Sequence, residues 1–178
     1  MAPTLLNEGQ IALRALPNSR YRVSMQTWNG QAHQITQFNS GCTPTLSSVA
    51  PDLLFLLSCD KQTEAREYRV LRTDGKLVLK GDSGPTELGQ SAAGISKDAF
   101  VVKTVQSTLP ATPGATFRAD QFASEELRVY RATDGKRLLG VRVAAPIASQ
   151  DGYALSPDGT QLAVLNQDSI AVYAVPSK

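Results

Sequence analysis

The feature that most narrows the fold is a segment that returns four times along the chain. YRVSMQTWNG from Tyr21, YRVLRTDG from Tyr68, LRVYRATDG from Leu127 and IAVYAVPSK from Ile170 each alternate large apolar residues with other types around a central valine, namely Val23, Val70, Val129 and Val172. Alternation with a period of two sends successive side chains to opposite faces, so each copy reads as a half-buried β-strand. In the first three copies an Asn-Gly or Asp-Gly pair follows, ending at Gly30, Gly75 and Gly135. That pair predicts tight two-residue hairpins in which both central residues take positive φ.

A second apolar run precedes each copy: QIALRAL at 10–16, LLFLLSC at 53–59, AFVVKTV at 99–105 and QLAVLNQ at 161–167. Turn signals stand before these runs, at Asn7-Glu8-Gly9, Pro51-Asp52, Lys97-Asp98 and Pro157-Asp158-Gly159. Ahead of the turns lie short segments, PTLL in the first copy and small-residue stretches such as GQSAAGI from Gly89 and GYAL from Gly152 later. Small residues suit a strand packed where several copies converge. After the hairpins come QAHQITQF from Gln31, KLVLK from Lys76 and KRLLGVRV from Lys136. The unit is therefore four strands in meander order, a, b, c and d, recurring at roughly 40 to 60 residues, which is the organisation of a propeller blade.

The expected fold is an all-β β-propeller of four four-stranded blade units, about 1–41, 42–85, 86–145 and 146–178, the last lacking its outer strand. A β-sandwich of regularly spaced hairpins is the competing architecture. It does not require the same four-strand order to return.

The last copy, ALSPDGTQLAVLNQDSIAVYAVP at 154–176, resembles the bacterial YVTN-type and related WD-like propeller repeats, in which a Ser-Pro-Asp-Gly turn joins the innermost strand to the next. The resemblance implies rings of more than four blades. Two closures follow: a compact four-bladed ring, or half of a larger ring completed by a second copy or by sequence outside this chain. The half-ring is the preferred expectation. It would leave an apolar blade face and a strand edge to bind a protein partner or another copy.

Composition sets the outer limits. Over 178 residues, 42% hydrophobic and 19% charged content belongs to a folded globular chain. The net charge is +2 and the basic residues are scattered, so no clustered basic face for nucleic acid is expected. No apolar stretch approaches the roughly 18 to 20 residues that cross a bilayer as a helix, so no membrane insertion is expected. The opening MAPTLLNEGQ has neither the basic region nor the apolar core of a signal peptide.

Between Val105 and Leu127 runs QSTLPATPGATFRADQFASEE, the one long interruption of the repeat. Loops of this length without repeat character are usually functional or disordered. Phe117, Arg118, Asp120 and Phe122 are the candidate binding residues there, because aromatic and cationic side chains dominate contact energetics. The plain alternative is an insertion packing on its own blade. Cys42 and Cys59 bracket the a–b hairpin of the second unit. A turn centred near Ala50 and Pro51 would make them cross-strand neighbours, within disulfide reach, whereas a slip of one residue would point them apart as two buried thiols. A disulfide implies an extracytoplasmic compartment, free thiols a cytoplasmic one.

Catalytic signals are sparse. His33 is the single histidine, too few for a Cys/His zinc site, and no nucleophile-elbow, zincin or phosphate-loop motif is present. No cofactor and no metal are expected. Asp60, Asp74, Asp134 and Asp158 occupy turns, where Asp bonds its own backbone. Arg22, Arg69 and Arg128 recur at one place in three c strands and read as the solvent side of the alternation. The function expected is a non-catalytic binding or scaffold module acting through protein–protein contact. The alternatives are a propeller hydrolase or lyase acting on carbohydrate or peptide, and the C-terminal half of a longer surface or sensor protein.

Overall fold

The computed structural model describes residues 4–6, 8–63, 65–84, 86–93, 98–110, 121–143, 152–166 and 169–176. The chain divides into two compact units, Met1–Ser83 and Gly84–Lys178.

In the first unit, β1 (Thr4–Leu6), β2 (Gly9–Leu16), β3 (Arg20–Thr27) and β4 (Ala32–Asn39) form an antiparallel sheet in chain order. A second sheet follows with β5 (Thr45–Ala50), β6 (Leu53–Cys59), β7 (Arg66–Arg72) and β8 (Leu77–Asp82), again in chain order. Ile11, Val23, Met25, Ile35 and Phe38 of the first sheet pack with Leu54, Leu56 and Leu71 of the second in one cluster. Each fully buried side chain of this kind contributes about 1.5–3 kcal/mol relative to exposure. The strand β6 is covered on both faces, which is why LLFLLSC is a continuous apolar run without alternation. The sheets approach closely at Gly75, where φ is 92° and a Cβ would sit 2.6 Å from the Ile35 carbonyl oxygen. Only glycine satisfies both conditions.

The second unit repeats the plan. One sheet holds β9 (Glu87–Ala93), β10 (Ala99–Ser107), β11 (Phe122–Arg131) and β12 (Arg137–Val143); the other holds β13 (Tyr153–Leu155), β14 (Gln161–Leu165) and β15 (Ile170–Ala174). Ala99, Val101, Leu127, Val129 and Val141 pack with Leu155, Leu162, Val164 and Val175. Stacked aromatic pairs recur in three sheets, Tyr21 with Phe38 at 5.8 Å, Phe55 with Tyr68 at 5.8 Å and Phe100 with Tyr130 at 5.7 Å between ring centroids. Among the described residues the last sheet has three strands, as the repeat pattern anticipates.

The c–d hairpins correct one expectation. Gly30, Gly75 and Gly135 have positive φ, but Asn29, Asp74 and Asp134 do not. At Gly30 and Gly75 these are three-residue connections, a type I turn followed by a left-handed glycine, and at Gly135, whose N–H donates to the Arg131 carbonyl, the connection has four residues; none is a two-residue turn of the primed type. The acidic or amide side chain has a different task. Asn29, Asp74 and Asp134 each accept a hydrogen bond through Oδ1 from the backbone N–H two residues on, at 3.2, 2.8 and 3.0 Å. The primed geometry appears instead between β2 and β3, at Asn18 (φ 64°) and Ser19 (φ 58°).

Candidate functional site

The central valines separate the last sheet from the others. Val23, Val70 and Val129 are fully buried, whereas Val172 is 59% exposed and Ile170 beside it 67%. In β15 the two faces are Ala171 and Tyr173 on one side and Ile170, Val172 and Ala174 on the other. Register pairs Leu162 with Tyr173 and Val164 with Ala171, which turns that face toward the core. It pairs Ala163 with Val172 and Leu165 with Ile170, which builds an apolar surface on the opposite face. Leu165 is also largely exposed. Among the described residues β15 pairs with β14 alone, so its outer edge carries unpaired backbone donors and acceptors. Sequence reasoning anticipated an apolar face and an edge without choosing residues. The signal was available in IAVYAV, which is apolar in both phases of the alternation, a pattern that suits a strand covered on both sides.

The long interruption is shorter than the sequence suggested. Strand β10 runs on to Ser107 and β11 begins at Phe122, with Ser107 opposite Phe122 after a register shift. Phe122 is therefore a half-buried strand residue. Phe117, Arg118 and Asp120 lie outside the described residues. The stem is held by Thr108 N–H donating to the Gln121 carbonyl at 2.8 Å and by the Ser107 hydroxyl donating to the same oxygen at 3.1 Å.

Cys42 and Cys59 come to disulfide distance, with Cα atoms 5.5 Å apart. The pairing arises differently from the hairpin count. Ser47 faces Phe55 and Ser48 faces Leu54, one residue off the expected register, and Cys42 sits in a bend before β5. The Ser40–Cys42 segment instead leaves the ladder and folds onto the end of β6. Gly41 N–H donates to the Cys59 carbonyl at 3.0 Å, and Cys59 N–H donates to Ser40 Oγ at 3.1 Å. Buried Ser40 in turn donates to the Cys42 carbonyl at 2.7 Å, which fixes both cysteines from one hydroxyl.

The recurring arginines are not equivalent, contrary to the uniform solvent-side reading. Arg69 is half-buried, pairs with Glu67 and lies over the Phe38 ring at 5.6 Å. Lys80 completes that group, 3.0 Å from Glu67. Burial of Glu67 opposes its ionisation, but the Lys80 hydrogen bond and the nearby charges of Arg69 and Lys80 outweigh it and hold the carboxyl below its usual range. Arg128 repeats the arrangement with Glu126, which also takes Arg137 at 3.2 Å. The Arg128 hydrogen bond is the main reason Glu126 ionises below the usual range, against the cost of burial. Arg22 is exposed. Asp60 and Asp158 ionise low through hydrogen bonds from their own turns, led by the Thr63 backbone and the Ser156 hydroxyl respectively. Asp74 and Asp134 are likewise turn residues. Among the described residues no three His, Cys, Asp or Glu side chains gather where a metal ion would bind. No described helix is long and apolar enough to cross a membrane.

No protein-family model matches the chain, and no curated protein matches it. Solved structures do. The uncharacterized protein lmo1340 from Listeria monocytogenes EGD-e is 11% identical with a TM-score of 0.57, over 97% of this chain and 48% of that one. The β-propeller domain of the trilobed protease from Pyrococcus furiosus, which has an open velcro topology, is 11% identical with a TM-score of 0.50, over 97% of this chain and 53% of that one. With the repeated four-stranded antiparallel sheets, this likeness makes the fold a β-propeller one. The chain spans about half the length of the solved structures it resembles.

Proposed function

We propose that the chain is a non-catalytic propeller module that acts by protein–protein contact, through the exposed face and open edge of β15. The observation that carries this reading is the exposure of Val172 at the position whose equivalents Val23 and Val129 are each packed against a neighbouring sheet. Apolar surface left in water forfeits about 25 cal/mol per Å². Covering it with another sheet recovers that free energy, and a fourth strand satisfies the edge. The occupant best matched to this surface is a sheet of the same kind, supplied by a second copy of the chain. A span of about half the solved structures it resembles supports the half-ring. The Ser156-Pro157-Asp158-Gly159 turn supports kinship with the YVTN-type and WD-like repeats. The proximity of Cys42 and Cys59 supports an oxidising, extracytoplasmic setting.

Absolute mass by light scattering across a concentration series tests the reading. A dimer is expected, reverting to monomer in the Ile170→Lys/Val172→Lys double variant with far-UV circular dichroism unchanged. A monomer at every concentration, or a dimer indifferent to both substitutions, would overturn it.

A further inference from the structure

For the monomeric chain, in which the face of the first sheet turned away from the core is open to solvent, we propose that this sheet carries a binding site for a doubly charged oxyanion of the phosphate class, in the cleft between Arg14 and Arg22. Arg14 on β2 and Arg22 on β3 are directly paired in register, and both are exposed. Neither has a carboxylate partner among the described residues. Like charges directly opposite each other destabilise a sheet, and no carboxylate among the described residues offsets them.

The other sheets show what is different here. Arg69 on β7 and Arg128 on β11 occupy the place of Arg22. Each has a glutamate two residues earlier on its own strand, Glu67 and Glu126, with which it pairs. In β3 that place is held by Arg20, whose Nε donates to the Pro17 carbonyl at 3.3 Å. Across the ladder, Leu56 faces Arg69 and Val102 faces Arg128, where Arg14 faces Arg22. The first sheet thus exchanges one carboxylate and one apolar side chain for two guanidinium groups. The counter-charge that the repeat carries internally elsewhere has to come from outside.

The cleft between these groups has a volume of about 270 Å³ and is lined by Arg14, Arg22, Ser24, Ala32, His33 and Gln34. Ser24 follows Arg22 on the same face and pairs in register with Gln34, adding a hydroxyl and an amide as donors. His33 is held at the rim by its Nε2, which donates to the Thr73 carbonyl at 3.0 Å. A single carboxylate saturates one guanidinium fork. Two forks with a hydroxyl and an amide need at least three acceptor oxygens and two negative charges, which a phosphate group supplies. The cleft is open to solvent and the ligand has few atoms, so affinity is on the order of 1 mM.

The test is a titration of the chain with inorganic phosphate at pH 7.5 and constant ionic strength, followed by amide chemical shifts, with sodium chloride and succinate as parallel arms. Saturable shifts at Arg14, Arg22, Ser24 and Gln34 are expected with phosphate and not with chloride, and weaker ones with succinate. Arg14→Gln and Arg22→Gln should each weaken phosphate about tenfold, the loss of a charge-assisted hydrogen bond. Arg142→Gln, an exposed cation on β12, should leave binding unchanged. If Arg22→Gln disturbs folding, Arg22→Lys keeps the charge without the fork and should still weaken binding severalfold. Linear shifts without saturation, equal shifts with chloride, succinate binding as tight as phosphate, or unaltered affinity in the Arg14→Gln/Arg22→Gln variant would each overturn the proposal.

Discussion

The first and last sheets share the order of their first three strands, yet the faces they turn away from their own units' cores are opposite in chemistry. On β2 and β3 that face carries Arg14, Arg22 and Ser24; on β14 and β15 it carries Leu165, Ile170 and Val172. A guanidinium in water keeps its hydration and waits for a charge, whereas an exposed isoleucine or valine favours any surface that excludes water. The same backbone therefore offers an ion site at one sheet and a sheet-docking face at the other. The outward faces are opposite faces of the repeat: Arg22 stands one residue before the central valine of β3, where β15 has core-side Ala171, whereas Val172 is itself the central valine of β15.

The comparison is sharpened most by substitutions that report burial. Leu162→Ala, in the core side of β14, should cost about 2–5 kcal/mol in urea unfolding, because a buried leucine leaves a cavity. Val172→Ala, on the opposite side of the same sheet, should stay within about 0.5 kcal/mol when measured at a concentration where the chain is monomeric. A large loss from Val172→Ala under those conditions would mean that the apolar face is covered within the chain.

A somewhat smaller effect is expected at the cysteines. Mass spectrometry after alkylation without reductant should show no modified thiol, and Cys42→Ser/Cys59→Ser should lower stability by about 3 kcal/mol, the scale for closing a loop of 17 residues. Two alkylated thiols without reductant would remove the bridge and, with it, the support for an oxidising compartment.

The smallest effect separates the paired arginines from the unpaired ones. Glu67 and Glu126 ionise below the ordinary carboxyl value of 4.5 in the folded chain. Their contribution is complete above that pH and is lost as pH falls through the lowered folded values. Urea midpoints should therefore hold between about pH 7 and 5 and drop below about 4.5. Glu126→Gln should make the drop shallower, while Arg22→Gln, which has no carboxylate to release, should leave its slope as it was. An identical slope in Glu126→Gln would show that the carboxylate cluster does not couple to folding.

Much of the fold was legible because strand alternation and turn residues are local properties. The c strands were readable from Val23, Val70 and Val129, and the four-strand order from the runs around them. The hairpin type was misread because Asn-Gly and Asp-Gly serve turns of two, three and four residues, and the flanking register chooses among them. The approach of Cys42 to Cys59 was anticipated by a count that assumed one continuous ladder. The chain achieves it instead by bending at Ser40, a hydrogen-bond detail that no spacing encodes.

The candidate surfaces were less legible, and for a different reason. Alternation says which residues share a face but not which face is covered, because coverage depends on a sheet distant in sequence. Period, turns and apolar runs determined that this chain builds repeated antiparallel sheets, since those signals act within a few residues along the backbone. The glutamate that Arg128 has and Arg22 lacks stands two residues away and is written in the sequence, but that Val172 stands in water while Val129 does not was decided only in three dimensions, where burial joins residues the sequence keeps apart.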